Sequence, residues 1–419
     1  MQKKLDIIVG VDIGTTKVVA VVAEISGSGI EYIGVGSHPC KGLQKGMVVN
    51  IDNTANAIKQ AVGQASQQAG CHISCIYVTV CGQTTSRNST GMVTVRGNEV
   101  EMDDIDRVLE AASSVTLPND QRVIHILPQE FIVNGQDGIK NPVGMCGVRL
   151  ETKVHLITAG TANLQNLAKC VKRSGLEIEA FVHDHLAGSI ATLQDDEKEL
   201  GVAFVDIGGG TTNIIIYIDD SVMYTTTLPI GSTHITRDIA VGLRTPMSSA
   251  ESIKQKHGNA LVDNVDEDET IEIPMVGGRP ESEISRKALC QIIQPRVEQI
   301  IDFIYRALQQ STLLPALASG VVIAGGGSIL PGVPELAHEI LDLPVRRGRP
   351  YGLGGMSNVL ESPQYAASVG IIKYASEDSG PLWGLPETDM KKGARSGAGG
   401  SGGKRSVWSA VGDWIKEIM

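Results

Sequence analysis

The chain has 419 residues, 42% of them hydrophobic and 20% charged, with 48 glycines and only 4% aromatics, a globular composition long enough for two or three domains. A net charge of −11 argues against nucleic acid as a partner. Seven cysteines with no zinc-type Cys-x-x-Cys pair fit reduced thiols in a reducing compartment. The basic start and short apolar run of "MQKKLDIIVGVDIG" are interrupted by Asp12 and lack a cleavage site, and no apolar stretch approaches the ~18 residues of a membrane span. The expectation is a cytoplasmic chain.

Residues 7–25, "IIVGVDIGTTKVVAVVAEI", are an apolar run, a Gly/Thr turn and a β-branched run, the pattern of two buried strands joined by a hairpin. Asp12 ends the first strand, and Gly14, Thr15, Thr16 and Lys17 make the turn. Glycines let backbone N–H groups approach an anion, threonine hydroxyls add donors, and Lys17 adds positive charge against phosphate. A carboxylate at the strand end would hold Mg²⁺ through its water shell. Farther on, residues 83–159 read as strand, helix, strand, strand, strand. The helix lies in "EMDDIDRVLEAASSV", where acidic residues precede Ile105, Val108, Leu109 and Ala112.

"VAFVDIGGGTTNIIIYI" (202–218) repeats the opening layout, with Asp206 falling 194 residues after Asp12. Gly208, Gly209, Gly210, Thr211 and Thr212 form its turn, and two such turns face to face would clasp a nucleotide's phosphates. Within "SRKALCQIIQPRVEQIIDFIYRAL", Ile292, Ile293, Val297, Ile300, Ile301 and Ile304 make a core-facing helical stripe, leaving Arg286 and Arg296 exposed. The acidic run "DNVDEDETIE" ahead of it reads as a solvated loop. "GVVIAGGGSILPGV" (320–333) is a strand, a glycine turn and a helix starting near Pro334; Gly325, Gly326 and Gly327 would admit adenine and ribose close to the backbone. There is neither a P-loop nor a clear G-x-G-x-x-G fingerprint.

In this order and spacing, "GVDIGTTK", "FVDIGGGTTN" and "VVIAGGGSILPGV" resemble the two phosphate motifs and the adenosine motif of the actin/Hsp70/sugar-kinase ATPase superfamily. "FVHDHLAGSIATL" (181–193) and "AASVGIIKYAS" (366–376) resemble its two connecting helices. The resemblance implies an α/β, actin-like two-lobed ATPase fold with ATP and Mg²⁺ in the cleft, Asp12 and Asp206 holding the metal through water. It also implies contacts from Glu251 and Lys254 of "AESIKQKHG" to ribose and adenine; by spacing alone these two could equally pair on a helix surface. Asp184 stands where relatives carry a residue that orients the attacking water, so at most slow hydrolysis is expected; His183 and His185 beside it are assigned no metal role. With its inserted α+β unit, including "LPQEFIVNGQDGIKNPVGMCGVRLE", the chain looks like the bacterial cell-division FtsA family from end to end. That family likeness implies binding of the C-terminal peptide of FtsZ, with Arg286 and Arg296 pairing its acid groups. It also implies self-assembly into filaments and recruitment of later division proteins through the inserted subdomain.

After Ser376 the chain turns to glycine, serine and proline, the composition of a flexible tether. The last residues then place Val407, Trp408, Val411, Trp414, Ile415, Ile418 and Met419 on an arc of about 140° of a helix, with Ser406 as its N-cap. Fourteen residues span about 21 Å, too short for a ~30 Å bilayer core. The helix is therefore expected to lie in the interface, with Lys404 and Arg405 toward anionic lipid, making the chain a peripheral protein on the cytoplasmic face of the inner membrane at the septum. The expected division is 1–82 and 163–195 for the first lobe, closed by 366–375, with 83–162 as the inserted subdomain. The second lobe takes 196–232 and 305–365 around an insertion at 233–304 that is the FtsZ-peptide candidate; 376–403 is linker and 404–419 the amphipathic helix. A small-metabolite kinase of the same superfamily would have no use for such a tail, and a pilus-assembly scaffold with the extra subdomain would lack it.

Overall fold

A computed structural model of the chain describes residues 6–27, 29–82 and 84–376. The expected linker from 377 onward and the expected helix 404–419 lie outside the described residues. β1 (Asp6–Ile13), β2 (Lys17–Ser26) and β3 (Gly29–Pro39) form an antiparallel meander. Val18 to Ala23 in β2 are all fully buried, because the strand is covered on both faces and so reads as a continuous apolar run. Helix α1 (Ile51–Ala69) starts where the Asn50 side chain accepts from the Asn53 N–H and stops at Gly70 with φ 66°, an N-cap and a left-handed C-terminal glycine. It returns the chain to β4 (Cys75–Val80), which pairs with β1 in parallel.

The inserted unit follows as β5 (Thr84–Thr94), α2 (Met102–Ser113), β6 (Gln121–Val133), β7 (Gln136–Ile139) and β8 (Arg149–Gly160). Its antiparallel sheet runs β5-β8-β6-β7, and Ile105, Val108 and Leu109 of α2 pack with Ile126, Phe131, Leu150 and Val154 in a core of their own. The strand–helix–strand–strand–strand reading holds element for element. Helix α3 (Thr161–Arg173) leads to β9 (Glu177–His183), parallel to β4, which extends the first sheet.

Helix α4 (Asp184–Thr192) carries the chain to the second lobe, where β10 (Val202–Ile207), β11 (Thr212–Ile218) and β12 (Ser221–Leu228) repeat the opening meander. Then come α5 (Ser232–Gly242), α6 (Met247–His257), a small hairpin of Thr270–Ile273 with Ser282–Ser285, and the long α7 (Arg286–Gln310). β13 (Val321–Ala324), α8 (Val333–Leu341) and β14 (Val345–Arg347) complete a sheet of order β12-β11-β10-β13-β14. Ile293, Val297, Ile300, Ile301 and Ile304 of α7 are buried, with Ile292 half-buried at the margin of the stripe. Part of the acidic run is not solvated loop: Ile271 and Ile273 alternate inward in the hairpin strand and are buried.

Helix α9 (Ala366–Ser376) brings the chain back and crosses α4 between the two sheets. The crossing is a backbone contact. A Cβ on Gly370 would sit 1.6 Å from the Ala187 carbonyl oxygen, and one on Gly188 would meet the Phe204 ring at 2.9 Å. Overpacking so close a contact costs about 1–3 kcal/mol or more. Gly370→Ala is therefore expected to lower stability by about 3 kcal/mol in urea unfolding; an unchanged midpoint would refute the close crossing.

Candidate functional site

The ends of β1 and β10, the turns after them and the start of α4 converge on one cleft of about 1030 Å³ between the lobes. Asp12, Gly14, Thr15, Thr16 and Lys17 line one side; Asp206, Gly208, Gly209 and Thr211 line the other; Asp184, Glu251, Lys254 and Gly325, Gly326 and Gly327 complete it. The two turns touch. A Cβ on Gly209 would lie 2.5 Å from Thr16 Cγ2, and one on Gly210 would lie 2.8 Å from Thr15 Oγ1, so glycine here is what allows the duplicated turns to close on each other.

Not every residue expected at the site faces it. Thr212 is fully buried, and its hydroxyl donates to the Ile230 carbonyl at 2.9 Å. Strand alternation explains this: Thr211 and Asn213 share the cleft side of β11, and Thr212 points away. Gly210 packs under Thr15 and does not line the cleft. Of the three glycines after β13, Gly325 and Gly327 are required by packing, since Cβ atoms there would lie 2.0 Å from Asp206 Oδ1 and 2.4 Å from Ile207 Cγ2; only Gly326 opens on free space.

Three carboxylates meet here. Asp12 accepts from Thr79 Oγ1 at 2.8 Å and from Ser368 Oγ at 3.4 Å. Burial and the neighbouring Asp184 nonetheless hold its pKa above the ordinary aspartate value. Asp206 is pushed up to about 8, first by burial and then by the charges of Asp184 and Asp12, against a partial pull from Lys17. Asp184 accepts from Asn213 Nδ2 at 2.9 Å through one oxygen and from His185 through the other. Lys17 is itself lowered to about 8 by burial, and its ammonium donates to Gln364 Oε1 at 2.7 Å and lies 4.4 Å from the Tyr365 ring centre. Buried like charges that raise one another's pKa values suit a bound cation, which would relieve their repulsion. Mg²⁺ with oxygen ligands fits this donor set.

Glu251 and Lys254 do pair, at 2.7 Å, and they also face the cleft. Burial lowers the Lys254 pKa, and its ammonium donates to Thr236 Oγ1 at 2.8 Å. Among the described residues His183, Asp184 and His185 also bring potential metal ligands within 4.8 Å of one another. Both Asp184 oxygens and both His185 ring nitrogens are taken up in protein hydrogen bonds, which makes the cluster part of a polar network. Asn213, Thr79, Ser368 and Gln364 were not singled out from the sequence. Asn213 was reachable, lying two residues beyond Thr211 on a strand of period two; the others come from distant segments.

Arg286 and Arg296 were expected to be exposed and are not free. Arg286 donates to Glu269 and to the His257 carbonyl at 2.7 and 2.8 Å, and Arg296 holds Asp238 through two nitrogens, one at 3.1 Å. Their side chains are 23% and 28% exposed. For Arg286 the cause is the acidic segment before α7, which folds back on it: Glu267 pairs with Lys287 as Glu269 does with Arg286; for Arg296 it is Asp238 of α5.

Two α/β lobes with repeated hairpin turns facing each other across a glycine- and carboxylate-lined cleft define an actin-like fold. Among solved structures, the chain resembles one described as the PilM-PilN type IV pilus biogenesis complex (TM-score 0.63, 16% identity, covering 88% of this chain and 98% of that one). It also resembles MreB5 of Spiroplasma citri bound to ADP (TM-score 0.55, 14% identity, covering 93% and 99%). The family model "Cell division protein FtsA" matches residues 203–370, and "SHS2 domain inserted in FTSA" matches 81–158. The chain is 44% identical to the cell division protein FtsA of Pseudomonas aeruginosa, over 88% of each chain. To that of Escherichia coli K12 it is 36% identical over 98% of this chain and 96% of the relative. It belongs to the FtsA family of cell-division proteins.

The raised Asp206 pKa has a stability consequence. Well below its ordinary value of 3.8, folded and unfolded chains both carry it protonated. As the pH rises the unfolded aspartate ionises first, around its ordinary 3.8, while the folded one holds its proton up to about 8, so the residue costs stability increasingly across that window and fully above it. In the nucleotide-free protein, Asp206→Asn is expected to be more stable than wild type by at least about 1 kcal/mol at pH 7.5. The gap should narrow toward pH 5 in paired urea titrations; a variant less stable at both pH values would overturn the electrostatic reading.

Proposed function

We propose that this chain binds ATP with Mg²⁺ in the cleft and uses the bound state to tether FtsZ filaments to the inner face of the cytoplasmic membrane at the division septum. The observation that carries the nucleotide half is the convergence of both duplicated turns, the three-glycine turn and the Glu251–Lys254 pair on one cleft. Asp12 and Asp206 would hold Mg²⁺ through water, and the cation would offset the phosphate charge. Thr15, Thr16, Lys17, Gly208, Gly209 and Thr211 would take the phosphates, Lys17 exchanging Gln364 for them. Gly326, Glu251 and Lys254 would face adenosine. Asp184, with both oxygens already accepting, is suited to positioning a water more than to free base chemistry, which favours slow turnover at most.

The membrane half rests on the amphipathic pattern of 404–419, with Val407, Trp408, Val411, Trp414, Ile415 and Ile418 toward lipid and Lys404 and Arg405 toward anionic headgroups. Among the described residues no helix is long and apolar enough to cross a membrane, in keeping with a peripheral anchor. One such helix binds modestly, so self-assembly through the actin-like body would add anchors by effective concentration. The FtsZ peptide would be taken by the 233–304 region, its acid groups displacing Glu269 and Asp238 from Arg286 and Arg296, and later division proteins would use the inserted subdomain. Intact chain in ATP and Mg²⁺ is expected to pellet with anionic liposomes, whereas a Trp408→Glu, Trp414→Glu double variant stays in solution. Equal behaviour of the two would remove the anchor from this reading, leaving nucleotide binding to be judged by direct titration.

A further inference from the structure

The inserted unit leaves the first lobe in sequence but docks on the second lobe in space. Its sheet lies along β12, the edge strand of the second lobe. Ser86 donates to the Thr225 carbonyl at 2.9 Å, Gln129 Nε2 to the Val222 carbonyl at 2.9 Å, and Lys140 to Ser221 Oγ at 2.7 Å. His155 bridges Asn88 at 2.7 Å and Thr225 at 3.1 Å.

At the inner end of this seam a chain of hydrogen bonds runs to the cleft. His183 Nε2 lies 3.3 Å from Thr84 Oγ1, Thr84 Oγ1 3.3 Å from Thr227 Oγ1, and Thr227 Oγ1 3.0 Å from His185 Nε2. The His185 Nδ1 atom contacts Asp184 Oδ1. Asp184 Oδ1 already accepts from the His185 backbone N–H, so the ring donates to it from Nδ1, and in that tautomer Nε2 is the acceptor. Thr227 therefore donates to His185, Thr84 to Thr227, and His183 Nε2 to Thr84. Every member has one direction, and the chain contains a residue of the inserted unit, one of the second lobe and the two histidines that bracket Asp184. His183 is buried and its other ring nitrogen, Nδ1, has no partner; burial and the neighbouring histidines hold its pKa well below the usual value, which keeps it neutral, with its proton on the donating Nε2.

We propose that this chain of hydroxyls and imidazoles makes the inserted subdomain a sensor of the cleft: Asp184 and Asn213, already hydrogen-bonded to each other, shift as a pair when the lobes close on nucleotide, His185 follows Asp184, and Thr227 transmits the position to Thr84 on the edge strand of the inserted sheet. Nucleotide and any protein bound to the inserted unit would then influence each other's affinity, as linkage requires. The coupling rests on the nucleotide reading above. Its physical basis is the hydrogen-bonded seam along β12, whose fit both sites would bias.

Hydrogen exchange on the full chain with and without ATP and Mg²⁺ tests it. In wild type, nucleotide is expected to slow exchange several-fold both in the turns at 12–17 and 206–213 and in strand 84–94. Thr227→Val keeps the shape but removes the hydroxyl; it should keep the protection of the turns and lose that of 84–94. Thr84→Val breaks the same link from the inserted side and serves if the first variant folds poorly, and Ser86→Ala, outside the chain, should behave as wild type. Protection of 84–94 that is absent in wild type, or unchanged in both valine variants, overturns the coupling. If the turns themselves gain no protection, the nucleotide reading falls and the coupling falls with it.

Discussion

How closely α4 and α9 cross governs the rest of this molecule. Each helix ends at a different sheet, and the space between the sheets is set by a glycine backbone resting on a carbonyl. Because no side chain separates them, the N-terminus of α4 is driven into the gap between the two duplicated turns, and Asp184 arrives beside Asp12 and Asp206. A wider crossing would leave three solvated carboxylates. The observed one desolvates them together, and their repulsion shows in the raised pKa values of Asp12 and Asp206. Such a site is destabilised by its own buried charges, and a bound cation would relieve them.

The same closure explains where the inserted unit sits. β12 is an edge strand, and an uncovered edge presents unpaired backbone groups. Here side chains of the inserted unit satisfy two of them: Ser86 and Gln129 donate to carbonyls of β12, while Lys140 reaches the turn before it. Burial holds His125 and His155 down to about 4 and His183 well below its usual value. A network of hydroxyl and imidazole groups is oriented by direction of donation, and the Asp184 carboxylate at one end is what orients it.

Polar groups on the second lobe are arranged by a different balance. The acidic segment ahead of α7 looks in isolation like solvated chain, yet it lies beside the basic start of that helix, and Glu267 and Glu269 neutralise Lys287 and Arg286. Asp238 on α5 does the same for Arg296. Half-exposed pairs of this kind contribute little stability, so exchange of one carboxylate for another would be inexpensive, and a partner with acid groups would compete with acids already in place.

Sequence alone determined the local architecture: the two hairpins, from apolar runs interrupted by glycine and threonine; the inserted strand–helix–strand–strand–strand unit; and the buried stripe of α7. These are short-range patterns, and period two or 3.6 records them in contiguous residues. It also singled out Asp12 and Asp206, because duplication marks a constraint that one copy would not, and Lys17 for its charge at the first turn. Only the tertiary structure decided which of those residues meet. Thr79 from a strand and Ser368 from a helix reach Asp12, and Gln364 reaches Lys17; Thr212 is turned away by strand alternation against Ile230, and the arginines of α7 are matched by acids from other segments. Such outcomes depend on distances between elements set by packing at Ala187 and Gly370, and no periodicity in a linear sequence carries that length.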